Sequence, residues 1–456
     1  MTKKIIFSFF LILFSLNAQS QFDHQNINYL GSYSDPSVIA ESTYGIKYQS
    51  CWGWVDTITG NEYGILGSTA GTYIINVTNP ANPVLCDYIP HRQTDCIWHE
   101  YKTYKNYLYI ISDDPGNNSF QIADLSYLPD SVHVIHDSTD IFTRAHTLFV
   151  DGDKLYVASV KTLSGTSSMS VYSLSNPANP VLLRELNQDY SNIGAVHDMY
   201  VSNDTVYASC GYDGLQIFKY DAISDSFNLL GSLIDGTNIY NHSSCLSPDF
   251  KTLYVCEEVP EGRPIKIINI SNISNPTLID TFHTNIGDTP HNPYLLDSLL
   301  IVAAYQDGVY IYNVSNAHTP VLVGYFDTYP TNPAGTYPWP PYAGAWAAYP
   351  YLPSGTLLVS DMQSGLFCLD ISGLTNIEST KEKVFKIYPN PTSGLLRTEG
   401  IKNATVEFLN SSGQICLVKS ITEDHTTMDV SNLIPGIYTA RILMKEKVVV
   451  TRIVVK

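Results

Sequence analysis

The sequence predicts an all-β chain, a seven-bladed β-propeller followed by a small Ig-like β-sandwich, and three observations carry that prediction. First, a histidine returns at a near-constant interval: His99, His146, His197, His242 and His291 are 47, 51, 45 and 49 residues apart. A period of about 40–50 residues is that of a four-stranded propeller blade. The same interval reaches Trp54, 45 residues back, and Trp346, 55 residues forward, which makes seven units. Second, only 15% of the 456 residues are charged while 33 are tyrosines, a composition that favours strands joined by tight turns. Third, each unit repeats one order of apolar runs and turns.

Residues 1–20 read as a secretory signal, with Lys3 and Lys4 ahead of a short apolar run and Ala18-Gln19-Ser20 as the cleavage site. No cysteine follows that site to carry a lipid, and no later segment has the length of a membrane span. Residues 21–373 are assigned to the propeller. Residues 290–328 show its unit most cleanly: an inner strand at 291–295, a turn at Leu296-Asp297-Ser298, a fully apolar strand at 299–304, a Gln306-Asp307-Gly308 hairpin, a third strand at 309–314, and a rim strand at 320–326. The final unit, from Ala345 to about Ile371, lacks an outer strand, and residues 27–33 resemble the missing piece. The N-terminus is therefore expected to close the ring and leave no sticky edge.

Gly71-Thr72-Tyr73-Ile74-Ile75-Asn76-Val77-Thr78-Asn79-Pro80 and Gly308-Val309-Tyr310-Ile311-Tyr312-Asn313-Val314-Ser315-Asn316 resemble the LVIVD repeat, and residues 26–372 as a whole resemble the choice-of-anchor B family. That resemblance implies an exported propeller and no established reaction.

After Ile371 the composition shifts. Residues 374–383 form a polar linker, and 384–456 a second domain of alternating strands, a small β-sandwich. Its landmarks, Tyr388-Pro389-Asn390-Pro391-Thr392-Ser393-Gly394, Asn410-Ser411-Ser412-Gly413-Gln414 and Pro435-Gly436-Ile437-Tyr438, resemble the type IX secretion C-terminal sorting domain. The resemblance implies passage across a Gram-negative outer membrane, with the type IX machinery as partner and the outer surface or the medium as destination.

The net charge of −18 opposes nucleic acid and anionic lipid. Eight cysteines permit disulfides in an exported chain; Cys51 with Cys96, and Cys245 with Cys256, are the pairings that the repeat suggests. Catalytic signatures such as HExxH, GxSxG, a P-loop or GxGxxG are absent from the sequence.

Propeller geometry puts the five histidines at one end of the channel, together with the turns that carry Asp113-Asp114, Asp213-Gly214, Glu257-Glu258, Asp307-Gly308 and Asp361, and the longest excursions, 160–170, 257–264 and 328–344. Long loops on a rigid scaffold carry function. Three readings of His99, His146, His197, His242 and His291 stand side by side: ligands for a divalent transition metal, an anion or sugar-acid site, or packing residues that hydrogen-bond the neighbouring blade. Trp54, Trp339 and Trp346, with Asp213 and Asp307, are candidate contacts for an extracellular glycan or protein. No other cofactor is indicated. The function read from the sequence is a secreted, cell-surface binding module with its site at the histidine mouth. The alternatives are a metal-dependent lyase or hydrolase acting on an extracellular polymer, and a structural adhesion component.

Overall fold

The computed structural model describes residues 22–456 except 117, 235, 237, 333–335, 339–341, 376–385, 400, 411–414, 424–425 and 445–447. The expected signal at 1–20 lies outside the described residues, as does Trp339. The chain divides into two compact units, residues 1–375 and 376–456.

The first unit contains seven antiparallel sheets among the described residues, each with strands a to d running from the channel to the rim. In blade 1 these are Tyr48–Val55, Glu62–Ser68, Gly71–Asn76 and Val84–Pro90. Blade 2 begins at His99–Tyr104, blade 3 at Leu148–Asp151, blade 4 at Asp198–Ser202 and blade 5 at Tyr240–Leu246. Blade 6 is Asn292–Leu296, Leu299–Ala304, Gly308–Asn313 and Val321–Phe326, within a residue or two of the sequence expectation. Blade 7 takes Ala345–Tyr349, Thr356–Asp361 and Gly365–Asp370 from the end of the unit, and its strand d is Asn28–Tyr33, antiparallel to Gly365–Asp370. The N-terminus thus closes the ring, and His24–Gln25 adds a short fifth strand to blade 6.

Packing explains why seven sheets make one body. An apolar cluster fills each of the seven blade-to-blade interfaces, including the one joining blade 7 to blade 1 through Trp346, Leu358 and Leu366 against Tyr48, Leu66 and Tyr73. Strands b and c are buried on both faces, as in Leu299–Ala304, which reads as a continuous apolar run for that reason. Strand d is exposed, and in all seven blades its pairing with strand c contains a register shift. A bulge kinks the outer edge and makes it a poor template for another chain. At the bulge of blade 7, Gly31 lets the turn of blade 1 approach: a Cβ there would stand 2.4 Å from the Pro80 carbonyl oxygen.

The second unit is a β-sandwich. Lys386–Tyr388, Leu395–Glu399 and Thr427–Asp429 form one sheet, and Ile415–Ile421, Ala404–Leu409, Gly436–Leu443 and Val448–Val455 the other. Leu396 and Met428 from the first sheet meet Val406, Phe408, Ala440 and Ile442 from the second in a single core. The alternating burial of Ala404–Leu409 is that of a strand with one face inward.

The expected disulfides are not formed; Cys51, Cys96, Cys245 and Cys256 are thiols. Cys51 points its sulfur toward the Ala347 carbonyl, 3.7 Å away, and Cys96 toward Asn118 Oδ1, 3.6 Å away, so equivalent positions on neighbouring blades face different partners. Cys245 lies opposite Tyr254, two residues from Cys256, so the hairpin register offsets the pair.

Candidate functional site: the histidine end of the axial channel

Strand a of each blade begins at the channel, which is why a repeated residue at its start forms a ring. His146, His197, His242 and His291 make a continuous arc, with ring centroids 4.1, 4.3 and 4.4 Å apart in that order. Trp346 continues it 4.9 Å from His291, and Trp98 follows at 5.3 Å.

Two expected members sit elsewhere. His99 borders the same space but stacks on His91 at 3.8 Å, away from the arc; His91, which shares no repeat position, is held by Thr72 Oγ1 at 2.9 Å. Trp54 is at the far end of strand a, where its Nε1 donates to the Lys105 carbonyl at 2.9 Å and its ring packs on Tyr63. The cause is the spacing: strand a of blade 1 starts at Tyr48, 51 residues before the start of blade 2 at His99, so a step of 45 residues lands six positions further along the strand. Ser50 and Trp52 occupy the channel there: Ser50 Oγ donates to Glu100 Oε2 at 2.8 Å and Trp52 Nε1 to Thr103 Oγ1 at 3.0 Å.

The histidines repeat because they staple blades together. His197 Nδ1 lies 3.1 Å from the His242 carbonyl, and His291 Nδ1 2.8 Å from the Trp346 carbonyl, in each case the next blade's equivalent position. Thr147 Oγ1 donates to the His197 carbonyl at 3.0 Å, and Ser243 Oγ to that of His291. A ring nitrogen facing a carbonyl must carry the proton. The staple therefore fixes the Nδ1–H tautomer of His197 and His291 and leaves each Nε2 lone pair unprotonated.

Electrostatics keep most of the arc neutral. Burial, and then the neighbouring imidazoles, push His197 and His242 well below the ordinary histidine range, and burial brings His291 down to about 3. His146 differs. Burial alone would lower it, but its Nδ1 lies 2.9 Å from Asp113 Oδ2, and that carboxylate raises it. Glu258, from the end of strand b in blade 5, is raised by burial and drawn back down by the Tyr305 hydroxyl, which donates to its Oε1 at 2.8 Å, and by His146.

Glu258 completes the arrangement that sequence alone missed. His197, His242 and Glu258 offer ligand atoms all within 4.8 Å of one another, and His242 Nε2 stands 3.8 Å from Glu258 Oε2. Ligands on one tetrahedral ion are about 3.4 Å apart, from bond lengths of about 2.0–2.1 Å. Small side-chain shifts therefore bring the trio to an ion. A separate space under the arc, bordered by His146, His197, His242 and His291 with Glu100 and Asp198 but not by Glu258, is only ≈ 20 Å³ for a water-sized sphere, room for a water and too small for a sugar.

Asp213 and Asp307 stand apart from this trio. Asp213 is exposed in its hairpin, its carbonyl accepting from Gln216 Nε2 at 2.8 Å. Asp307 Oδ2 accepts from Asn285 Nδ2 at 2.7 Å and from the Tyr337 hydroxyl at 2.8 Å.

Residues 386–456 match the secretion system C-terminal sorting domain family, so the chain is a secreted or cell-surface protein handled by a type IX secretion system. No helix among the described residues is long and apolar enough to cross a membrane. None of the curated proteins matches the chain. Among solved structures, it is similar to the periplasmic gluconolactonase PpgL of Pseudomonas aeruginosa, at 12% identity over 79% of this chain and 95% of that one, with a TM-score of 0.48. It is similar to YCF48 bound to D1 peptide, at 10% identity over 77% and 96%, with a TM-score of 0.49. It is also similar to PorZ, a surface component of the type-IX secretion system of Porphyromonas gingivalis, at 10% identity over 86% of this chain and 64% of that one, with a TM-score of 0.36.

Proposed function

We propose that this chain is a secreted, surface-displayed binding module of the LVIVD-repeat, choice-of-anchor B type, and that its histidine mouth holds one divalent transition-metal ion. One observation carries the reading: His197, His242 and Glu258 converge within 4.8 Å while the blade staple leaves the His197 Nε2 lone pair free. Two neutral imidazoles and a carboxylate suit zinc and its neighbours in the first transition row. His146 and His291 flank the trio, the first tied to Asp113 and the second to the Trp346 carbonyl, and hold the outer rings of the arc in place. The narrow space under the arc is too small for a glycan. Delivery to the outer surface belongs to the sorting domain.

The test is titration calorimetry with zinc chloride on untagged full-length protein, with metal content measured after dialysis. One ion per chain is expected, lost in His197→Ala/His242→Ala and weakened in Glu258→Gln, each with an unchanged near-ultraviolet spectrum. Binding that is absent in the wild type, or equally strong in the double variant, refutes the reading.

A further inference from the structure

The channel does not end at the histidines. Glu100, Thr147, Asp198 and Asn292 form its next layer and border two spaces at once, the narrow one under the arc and a much larger one toward the a–b turns. The larger space measures ≈ 510 Å³, within the range of about 300–1,000 Å³ usual for small-molecule sites.

Its walls are aromatic on two opposed sides. Blades 7 and 1 contribute Trp52, Tyr349 and Tyr351, set edge to face at 4.8 and 5.3 Å. Across the channel, blades 3 and 4 contribute Phe149 and Tyr200, with centroids 5.1 Å apart. Its floor is polar and mixed in sign. Lys102 rests its ammonium 4.0 Å from the centre of the Trp52 ring, with the Glu100 and Asp198 carboxylates as its charged neighbours. Asn292 and Thr147 add an amide and a hydroxyl to the same layer.

We propose that this vestibule is a second ligand site, which takes a neutral, pyranose-sized polyol ring: a monosaccharide or the terminal residue of a glycan. Opposed aromatic walls form a slot for a ring with apolar faces, and stiff side chains lose little entropy on holding it. A floor with an ammonium, carboxylates, an amide and a hydroxyl offers donors and acceptors together, which is what a set of equatorial hydroxyls needs. One ammonium against two carboxylates leaves the floor with no positive excess, which disfavours an anion of the same size. The negative charge of the whole chain, −18, adds to the cost for a sugar acid. This site is independent of the metal reading, because the two lie on opposite sides of the Glu100–Asp198 layer.

The experiment is titration of the full-length protein with glucose, galactose, mannose and N-acetylglucosamine, with glucuronate and glucosamine as charged comparators. Tryptophan fluorescence and ligand-detected NMR are the readouts. At least one neutral sugar is expected to saturate in the millimolar range or tighter. Tyr351→Ala, on the exposed edge of the wall, is expected to weaken it about tenfold, and Lys102→Met by at least as much. His197→Ala/His242→Ala is expected to leave the sugar affinity unchanged, which separates this site from the metal site. Tyr351→Ala keeps the test decisive should Lys102→Met fail to fold. Absence of saturation by every neutral sugar, preference for a charged sugar, or binding unaffected by Tyr351→Ala overturns the proposal.

Discussion

Ile27 is the residue on which ring closure turns, and its truncation yields a number. It precedes the N-terminal strand that completes blade 7, is 0% exposed, and is packed among Leu299, Ile311 and Phe326 of blade 6 and Leu357, Phe367 and Leu369 of blade 7. Ile27→Ala removes three carbon groups, worth about 2.4 kcal/mol at about 0.8 kcal/mol each. Residual cavity adds about 1 kcal/mol, because Gly324, whose Cβ would lie 3.1 Å from Ile27 Cγ1, has no side chain to fill the gap. The total is about 3–4 kcal/mol. With an unfolding entropy of about 2.1 cal/mol/K per residue over roughly 350 residues, this lowers the midpoint by about 4–5 °C. Tryptophan fluorescence reads the propeller alone, since all five tryptophans lie in the first unit. Ile58→Ala, at a residue 92% exposed, serves as control and is expected to stay within about 0.5 kcal/mol of wild type. A melting midpoint for Ile27→Ala equal to that of Ile58→Ala would refute closure by the N-terminal segment.

Gly31→Ala is expected to destabilise the same transition by about 1–3 kcal/mol, since its new methyl meets a backbone carbonyl that cannot yield easily; an unchanged urea midpoint counts against the bulge contact. The depressed histidines set a pH dependence. His197, His242 and His291 are neutral when folded and protonate more readily when unfolded, so the unfolded state binds more protons below the ordinary histidine range. Stability is therefore expected to be full above about pH 7 and to fall as the pH drops through about 6.5. His146 acts in the opposite sense, its raised value contributing stability at low pH that is lost as the pH rises through its folded value; His291→Gln, followed by thermal melts across that window, should flatten the net slope. Thiol titration is expected to find Cys416, which is exposed, reacting first in the native protein, half-buried Cys86 more slowly, and all eight in denaturant without reductant. A count below eight would reveal a disulfide.

Much of the fold was legible because a repeat announces itself. Blade 6 could be read almost strand by strand from residues 290–328, and the orphan third strand of blade 7 pointed to residues 27–33. The site was legible only in part. Counting back 45 residues placed Trp54 at the mouth, but blade 1 starts its inner strand at Tyr48, 51 residues before His99, and repeats of unequal length defeat a fixed count. His99 carried the right spacing and turned to His91 because a partner from outside the repeat reached it first. Glu258 was visible as a turn carboxylate, yet nothing local marks it as facing His242 from strand b. Trp52, Lys102, Tyr349 and Tyr351 follow the mouth positions by only a few residues, and the volume they enclose exists only once seven inner strands stand around one axis.

Sequence by itself determined the blade count, the closing strand and the sorting domain, because strand patterning, turn chemistry and family motifs are local and each repeat restates them. Tertiary structure decided which histidines share an arc, which carboxylate joins them, and that the roomier end of the channel lies away from them. Those outcomes depend on staples and distances between residues some 50 positions apart, as between Tyr305 and Glu258 at a separation of 47. Only packing seven sheets radially brings such residues within a hydrogen bond of each other.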